Sequence, residues 1–300
     1  LNAVVTNNIR DLAIGQGAVS LLLNSQGHIL AELEAYIFPD RIRIVTYAMI
    51  RQQTFATLDK FIIMDDAVLT DRSGEIGAIA LEGPRAVDVL ASLGAPAIDP
   101  IGELAFLETE LAGVRCELVK RSPGGIAGAE IVARTEDLPR LWQIVLEAVR
   151  KFGGGPLGYE ALSVLRLEAG IAWFGYDFDS TVIPHEAALE NSHVSFTKGC
   201  YTGQEIVERV RSRGHVNRKR VGVVFSGREV PAPKTPLLAS GAEVGYVTRA
   251  GFSYALDRPV GMAYLRSEHN AVGSRVSYAG GEAEVIALPL TVSAQSANPR

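Results

Sequence analysis

The chain has 300 residues, a formal net charge of −5, 47% hydrophobic and 21% charged residues, and two cysteines. That length buries substantial cores in two or three domains, and the composition is that of an ordinary globular protein. The acidic balance excludes a general nucleic-acid coat. No apolar run approaches a membrane span, no signal peptide is evident, and Cys116 with Cys200 makes neither a disulfide framework nor a complete metal pattern. A reducing, cytoplasmic setting is expected, and the start at Leu1 in mid-pattern suggests that a native N-terminal segment is missing.

Taken in order, Ala18–Leu23, His28–Tyr36 and Arg41–Thr46 read as three strands, with turns at Gln26-Gly27 and Pro39-Asp40. Glu32 and Glu34 share one face of the second strand, which reads as solvated. Residues 47–152 read as an α+β unit. It has a helix near Gln53–Phe61, strands near 62–69 and 76–81, and a helix between Pro84 and Gly94. Strands near 104–111, 114–120 and 127–133 follow. A helix over 138–151 then carries Leu141, Trp142, Val145, Leu146 and Val149 on one face. Asp65 and Asp66 read as strand-end residues, and Cys116, sharing a face with Val114 and Leu118, as core.

Gly153–Gly158 lacks the Gly-Lys-Ser/Thr ending of a phosphate loop and reads as a linker before a helix at Tyr159–Ala169. Asp177 and Asp179 read as turn or cap residues, since a third metal ligand is wanting. In Ile183-Pro184-His185-Glu186-Ala187-Ala188-Leu189, Glu186 is either a buried, ligand-directed acid or part of an exposed turn, and His185 reads as packing. From Lys219 to Pro289, short apolar runs punctuated by Gly, Pro, Asn and Asp predict a β-barrel or sandwich.

The richest stretch is Lys198-Gly199-Cys200-Tyr201-Thr202-Gly203-Gln204-Glu205. Thr202 and Glu205 have capping-box spacing, which predicts a helix over about 203–213. Cys200 would then lie beside the positive end of that helix with Lys198 near in sequence, conditions that favour a thiolate nucleophile, metal ligand or redox-sensitive thiol. An inert, buried cysteine is the plainer alternative. Gly199 and Gly203 would let the backbone approach a ligand. Seven of the twelve positions from Arg209 to Arg220 are basic, counting His215. They could bind RNA phosphates or a polyanionic cofactor tail, or simply solvate a helix end.

The octapeptide resembles the signature of YgfZ-type folate-binding proteins, relatives of the glycine-cleavage T-protein. Asn24–Ile29, Ile79–Pro84, Leu165–Gly170, Phe174-Gly175, Pro184–Ala187 and Arg218–Val223 match the family in the same order, so the resemblance covers nearly the whole chain. It implies an α+β fold of three domains in a cloverleaf: a discontinuous folate-binding domain (1–47 and 153–213), a ferredoxin-like α+β domain (48–152) and a C-terminal β-barrel (216–292). It also implies a bound tetrahydrofolate oriented by Glu186, contacts from Glu32, Gly199, Tyr201, Gly203, Gln204 and Glu205, and catalytic or redox roles for Cys200 and Lys198. T-proteins carry an Ile-Asp-Asp-Leu segment whose aspartate assists methylene transfer, and Ala31 and Glu32 stand at those positions. The resemblance thus implies a folate-binding accessory protein for iron–sulfur cluster maintenance and dependent tRNA modification, with iron–sulfur proteins as partners. A folate-dependent aminomethyl- or one-carbon transferase using Glu32, and an RNA- or partner-binding module, are the alternatives.

Overall fold

Strand β1 (Gly17–Leu23) opens on a glycine for a steric reason. A Cβ at Gly17 would stand 2.7 Å from both the Tyr36 ring and the Leu104 carbonyl oxygen. The computed structural model describes residues 1–63 and 66–290, and the chain in it divides into two compact units. The first unit comprises Leu1–Leu23, Leu30–Leu157 and His193–Thr202, and the second Asn24–Ile29, Gly158–Ser192 and Gly203 onward.

In the first unit, β1 belongs to a three-stranded sheet of order β1-β2-β3 with β2 (Ile29–Ile37) and β3 (Ile42–Thr46). Ile29, Ala31, Leu33 and Ala35 alternate inward on β2, and Ala31, Leu33 and Ala35 join Val4, Val5, Ile9, Leu22 and Leu58 in one core. Helix α1 (Arg51–Asp59) follows and buries Thr54 and Leu58. The strand expected over 62–69 does not form among the residues described there; Met64 and Asp65 lie outside them, and Asp66 is exposed.

Strand β4 (Ile76–Glu82), helix α2 (Ala86–Ser92), strands β5 (Phe106–Leu111), β6 (Val114–Val119) and β7 (Gly128–Arg134), and helix α3 (Leu138–Lys151) form the rest of this unit. The sheet order is β4-β7-β6-β5, antiparallel throughout. The succession from residue 76 onward is β-α-β-β-β-α, the order read element by element from the sequence. Helix α3 turns Leu141, Val145 and Ala148 into the core, while Trp142 is 41% exposed, because a 3.6-residue period carries position 142 off that stripe. Cys116 is core, as expected, and burial pushes its thiol up to about 11.

Among the described residues, the second unit carries helix α4 (Tyr159–Ala169), the short turn α5 (Glu190–His193, its last residue in the first unit), helix α6 (Gln204–Arg213) and six strands. These strands are β8 (Arg218–Phe225), β9 (Pro236–Ala239), β10 (Ala242–Ser253), β11 (Arg258–Arg266), β12 (Arg275–Tyr278) and β13 (Gly281–Ile286). They close in the order β10-β11-β8-β13-β12-β9, which leaves no unpaired edge. Val223, Phe225, Leu237, Val247, Ala263 and Leu265 fill the interior. Strand β11 is buried on both faces, because Leu167 of α4 packs with Val260 and Met262 outside the barrel. A Cβ at Gly251 would come within 2.8 Å of Val164, so that glycine sets the close approach of helix to barrel.

Candidate functional site

The polar face of β2 is not solvated as its alternation predicted. Tyr36 shares it and is 2% exposed, with Oη donating to Glu34 Oε2 at 2.7 Å. Arg121 donates through Nε to Glu34 Oε1 and through Nη1 to Glu130 Oε1, each at 2.6 Å. Phe106 of β5 packs on Tyr36, so the neighbouring sheet of the same unit covers this face. Burial pushes Tyr36 above its ordinary range, and Glu34 adds to the effect. Glu130 is likewise raised by burial, which its salt bridge to Arg121 only partly offsets.

Glu32, two residues back on the same face, has a different partner. Its Oε1 lies 2.8 Å from His193 Nε2, with the two side chains 16% and 10% exposed. Both backbones are held. The Glu32 carbonyl accepts from Thr46 Oγ1 at 2.8 Å. The His193 carbonyl accepts from Thr6 Oγ1 at 2.6 Å, and the fully buried Thr6 also accepts at Oγ1 from the Leu21 N–H. Sequence reasoning missed His193 altogether, since its partner stands 161 positions away and no local pattern marks it.

Lys198 lies in the same unit and is 8% exposed. Its Nζ donates to the carbonyls of Val5 (2.6 Å), Asn7 (2.9 Å) and Asn2, and its cation stands 5.2 Å from the Tyr201 ring centroid. The expected tuning of Cys200 by Lys198 is corrected here: all three ammonium hydrogens go to backbone oxygens of the N-terminal segment. Burial, with help from nearby Arg10, lowers this lysine to about 8. Cys200 is exposed and Tyr201 buried. A Cβ at Gly199 would meet nothing within 4 Å, so space does not require glycine there. The capping box does not form. Gly203, with a left-handed φ of +81°, is the N-cap of α6, no side chain caps the first turn, and Glu205 instead bridges to Arg209 at 2.8 Å. Gln204 is half-buried and Glu205 exposed.

In the second unit, Glu186 lies in the middle of a turn over 184–188, and β8 secures two of its carbonyls. The period of two sets Arg218 and Arg220 on the face opposite Val221 and Val223. The Arg220 N–H donates to the Glu186 carbonyl at 2.7 Å, and its Nε to the Ala187 carbonyl at 2.8 Å. Arg218 Nε reaches Glu186 Oε1 at 3.3 Å. Although burial disfavours its charge, Glu186 holds the Arg218 guanidinium above its ordinary range. Glu186, His215, Arg218, Arg266 and Glu268 are among the residues lining a cavity of about 490 Å³, the size of a small-molecule site. Glu186 thus sits in a turn, as one of its two readings had it, with its side chain part-buried at 17% exposed. His185 is half-buried, and burial lowers its imidazole below its ordinary value.

The GCVT N-terminal domain family matches residues 1–198, and the glycine cleavage T-protein C-terminal barrel domain matches residues 218–291. The chain belongs to the glycine cleavage T-protein family. Its relatives include an aminomethyltransferase of Streptomyces avermitilis, 30% identical over 96% of this chain and 80% of the other. Another, from Frankia alni, is 31% identical over 88% of this chain and 72% of its own. The crystal structure of glycine cleavage system aminomethyltransferase T from Bartonella henselae superposes with a TM-score of 0.86 at 26% identity, covering 97% of this chain and 80% of that one. The T-protein-like fold expected from the resemblance, α+β followed by a C-terminal closed barrel, is the fold observed.

Within this T-protein frame, two further expectations change. Asp177 lies in a turn and accepts the local Trp173 N–H at 2.9 Å, as expected, but its side chain is also fully buried and accepts from Arg249 at 2.6 Å and from Thr248 Oγ1 at 2.8 Å. The basic segment is largely paired. Arg209 meets Glu205, Arg211 meets Glu208, Arg218 meets Glu186 and Lys219 meets Glu190, while Arg220 is buried. Among the described residues, no group of three or more His, Cys, Asp or Glu could hold a metal ion, and no helix is long and apolar enough to cross a membrane.

Proposed function

We propose that this T-protein family member is a tetrahydrofolate-dependent one-carbon transferase of the aminomethyltransferase type. The observation that carries the reading is Glu32, a part-buried carboxylate held 2.8 Å from His193 in a chain matched by both T-protein domain families. The residues present fit a folate. Glu186, gripped by Arg218 on the wall of a cavity of about 490 Å³, offers two acceptor oxygens of the kind that the adjacent donors of a pterin amide and amine edge require. Tetrahydrofolate, when bound, supplies the nitrogens that receive the carbon.

Two bonds to the methylene carbon break, one to the amine nitrogen and one to the donor's heteroatom, and two bonds to nitrogen form. The two protons released from those nitrogens go to the departing amine and the departing donor group. Glu32 is the residue suited to accept one of them and hand it on, a task that positioned carboxylates perform with gains of about 10²–10⁴ in rate. The test is formation of methylenetetrahydrofolate from an aminomethyl donor by the wild type and by Glu32→Gln. No product from the wild type, or equal product from both, would sink the assignment.

A second reading, an accessory protein for iron–sulfur cluster maintenance and the tRNA modification that depends on it, is favoured by one observation: the octapeptide cysteine, Cys200, is exposed. There Cys200 would be the reactive thiol, and Lys198 would hold its segment. Full rescue of iron–sulfur enzyme activity by Cys200→Ala and Lys198→Ala variants in a deletion strain would end that reading.

A further inference from the structure

We infer that His193 is the positioning residue for Glu32, fixing which of its carboxylate oxygens faces the reacting atoms; the inference rests on the transfer reading above. The Nε2–Oε1 contact is 2.8 Å and nearly sealed from water, so it fixes the carboxylate torsion that solvent would otherwise randomise. The imidazole is itself anchored. The fully buried Thr6 grips the His193 carbonyl through Oγ1, and the Ser195 N–H returns a bond to the Thr6 carbonyl at 3.1 Å. Glu32 is tied at its own carbonyl by Thr46. With both backbones fixed and one contact between the side chains, the free motion left to the pair is small. The Glu32 side chain is nevertheless 16% exposed, so it stays within reach of a ligand.

Glu34, on the same face, isolates what is particular to Glu32. Its carboxylate is taken by Arg121 and by the Tyr36 hydroxyl, and Arg121 keeps its proton at any working pH. A ring nitrogen of imidazole donates in one tautomer and accepts in the other, so His193 has a hydrogen bond to offer Glu32 both before and after a proton arrives there.

The experiment compares His193→Phe, His193→Gln, Glu32→Gln and the His193→Phe/Glu32→Gln double variant. Single-turnover transfer, calorimetric tetrahydrofolate affinity and thermal melting are measured for each, together with the ¹⁵N resonance of His193 Nε2 in the wild type and in Glu32→Gln. His193→Phe is expected to slow transfer about 100-fold, the scale of a misplaced catalytic group, with folate affinity kept. His193→Gln, which retains a donor, is expected to recover most of the rate. The double variant should be no slower than Glu32→Gln, and the His193 resonance should move in Glu32→Gln. Full-speed transfer by a folded His193→Phe, additive losses in the double variant, or an unmoved resonance would each overturn the pairing. Should His193→Phe fail to fold, His193→Gln and the resonance still decide it. A wild type that binds tetrahydrofolate yet forms no product would overturn the transfer reading, a failure separate from an unmoved resonance.

Discussion

Glu32 and Glu186 are both part-buried carboxylates with a side-chain nitrogen at one oxygen, yet they are built for different work. Glu186 is held by the guanidinium of Arg218, which does not deprotonate, so its charge and its acceptor geometry stay constant. Glu32 is held by the imidazole of His193, whose ring nitrogen donates in one tautomer and accepts in the other. The difference teaches that the first pair suits grip and the second suits proton movement, although both are carboxylates in contact with nitrogen.

The largest test of that division is Glu32→Gln, which keeps shape and removes basicity. Transfer is expected to fall ~10²–10⁴-fold while folate affinity holds near wild type, read by steady-state kinetics and calorimetry. Asp177→Ala supplies the control of a third carboxylate, paired with an arginine but wholly buried. It should cost about 3–5 kcal/mol of stability by stranding Arg249, read from denaturant midpoints, because that pair is scaffold. Glu186→Ala should act oppositely to Glu32→Gln. Folate affinity should weaken roughly 10–100-fold, as expected from ~1.5–3 kcal/mol for hydrogen bonds to a charged group, with transfer at saturating folate little changed.

The smallest expected effect concerns Lys198, outside both pairs. Its folded value of about 8 lies below the ordinary 10.5, so between those pH values the unfolded chain binds more protons than the folded one. Stability should therefore rise with pH across that window, and Lys198→Met should flatten the rise in denaturant midpoints. A wild-type stability that falls across the window would refute the sign.

What the sequence made legible was what is written locally. Helix α3 was expected over the residues it occupies, and β1 to β7 were anticipated nearly to their ends, because periodicity and glycine or proline punctuation are local. Strands β9 and β13 were not foreseen: at 4 and 6 residues they carry little pattern of their own, and barrel closure supplies their order. The capping box was a local pattern overruled by one left-handed glycine, Gly203. The site divides in the same way. Glu186 stood out as one acid in a run of small apolar residues, and Glu32 through its place beside a family segment. Their partners Arg218 and His193 lie 32 and 161 positions off, and only the folded chain brings each pair together.

The weaving of the first unit from three separate stretches has a consequence for how the protein is made. Its last stretch, His193–Thr202, carries both the imidazole that meets Glu32 and the ammonium that caps the carbonyls of Asn2, Val5 and Asn7. A ribosome adding about 5–20 residues per second leaves the earliest strands waiting on the order of ten seconds for that stretch. The stretch from Asn2 to Asn7 thus gains the Lys198 ammonium, and Glu32 its imidazole 161 positions away, only after that late stretch has been made.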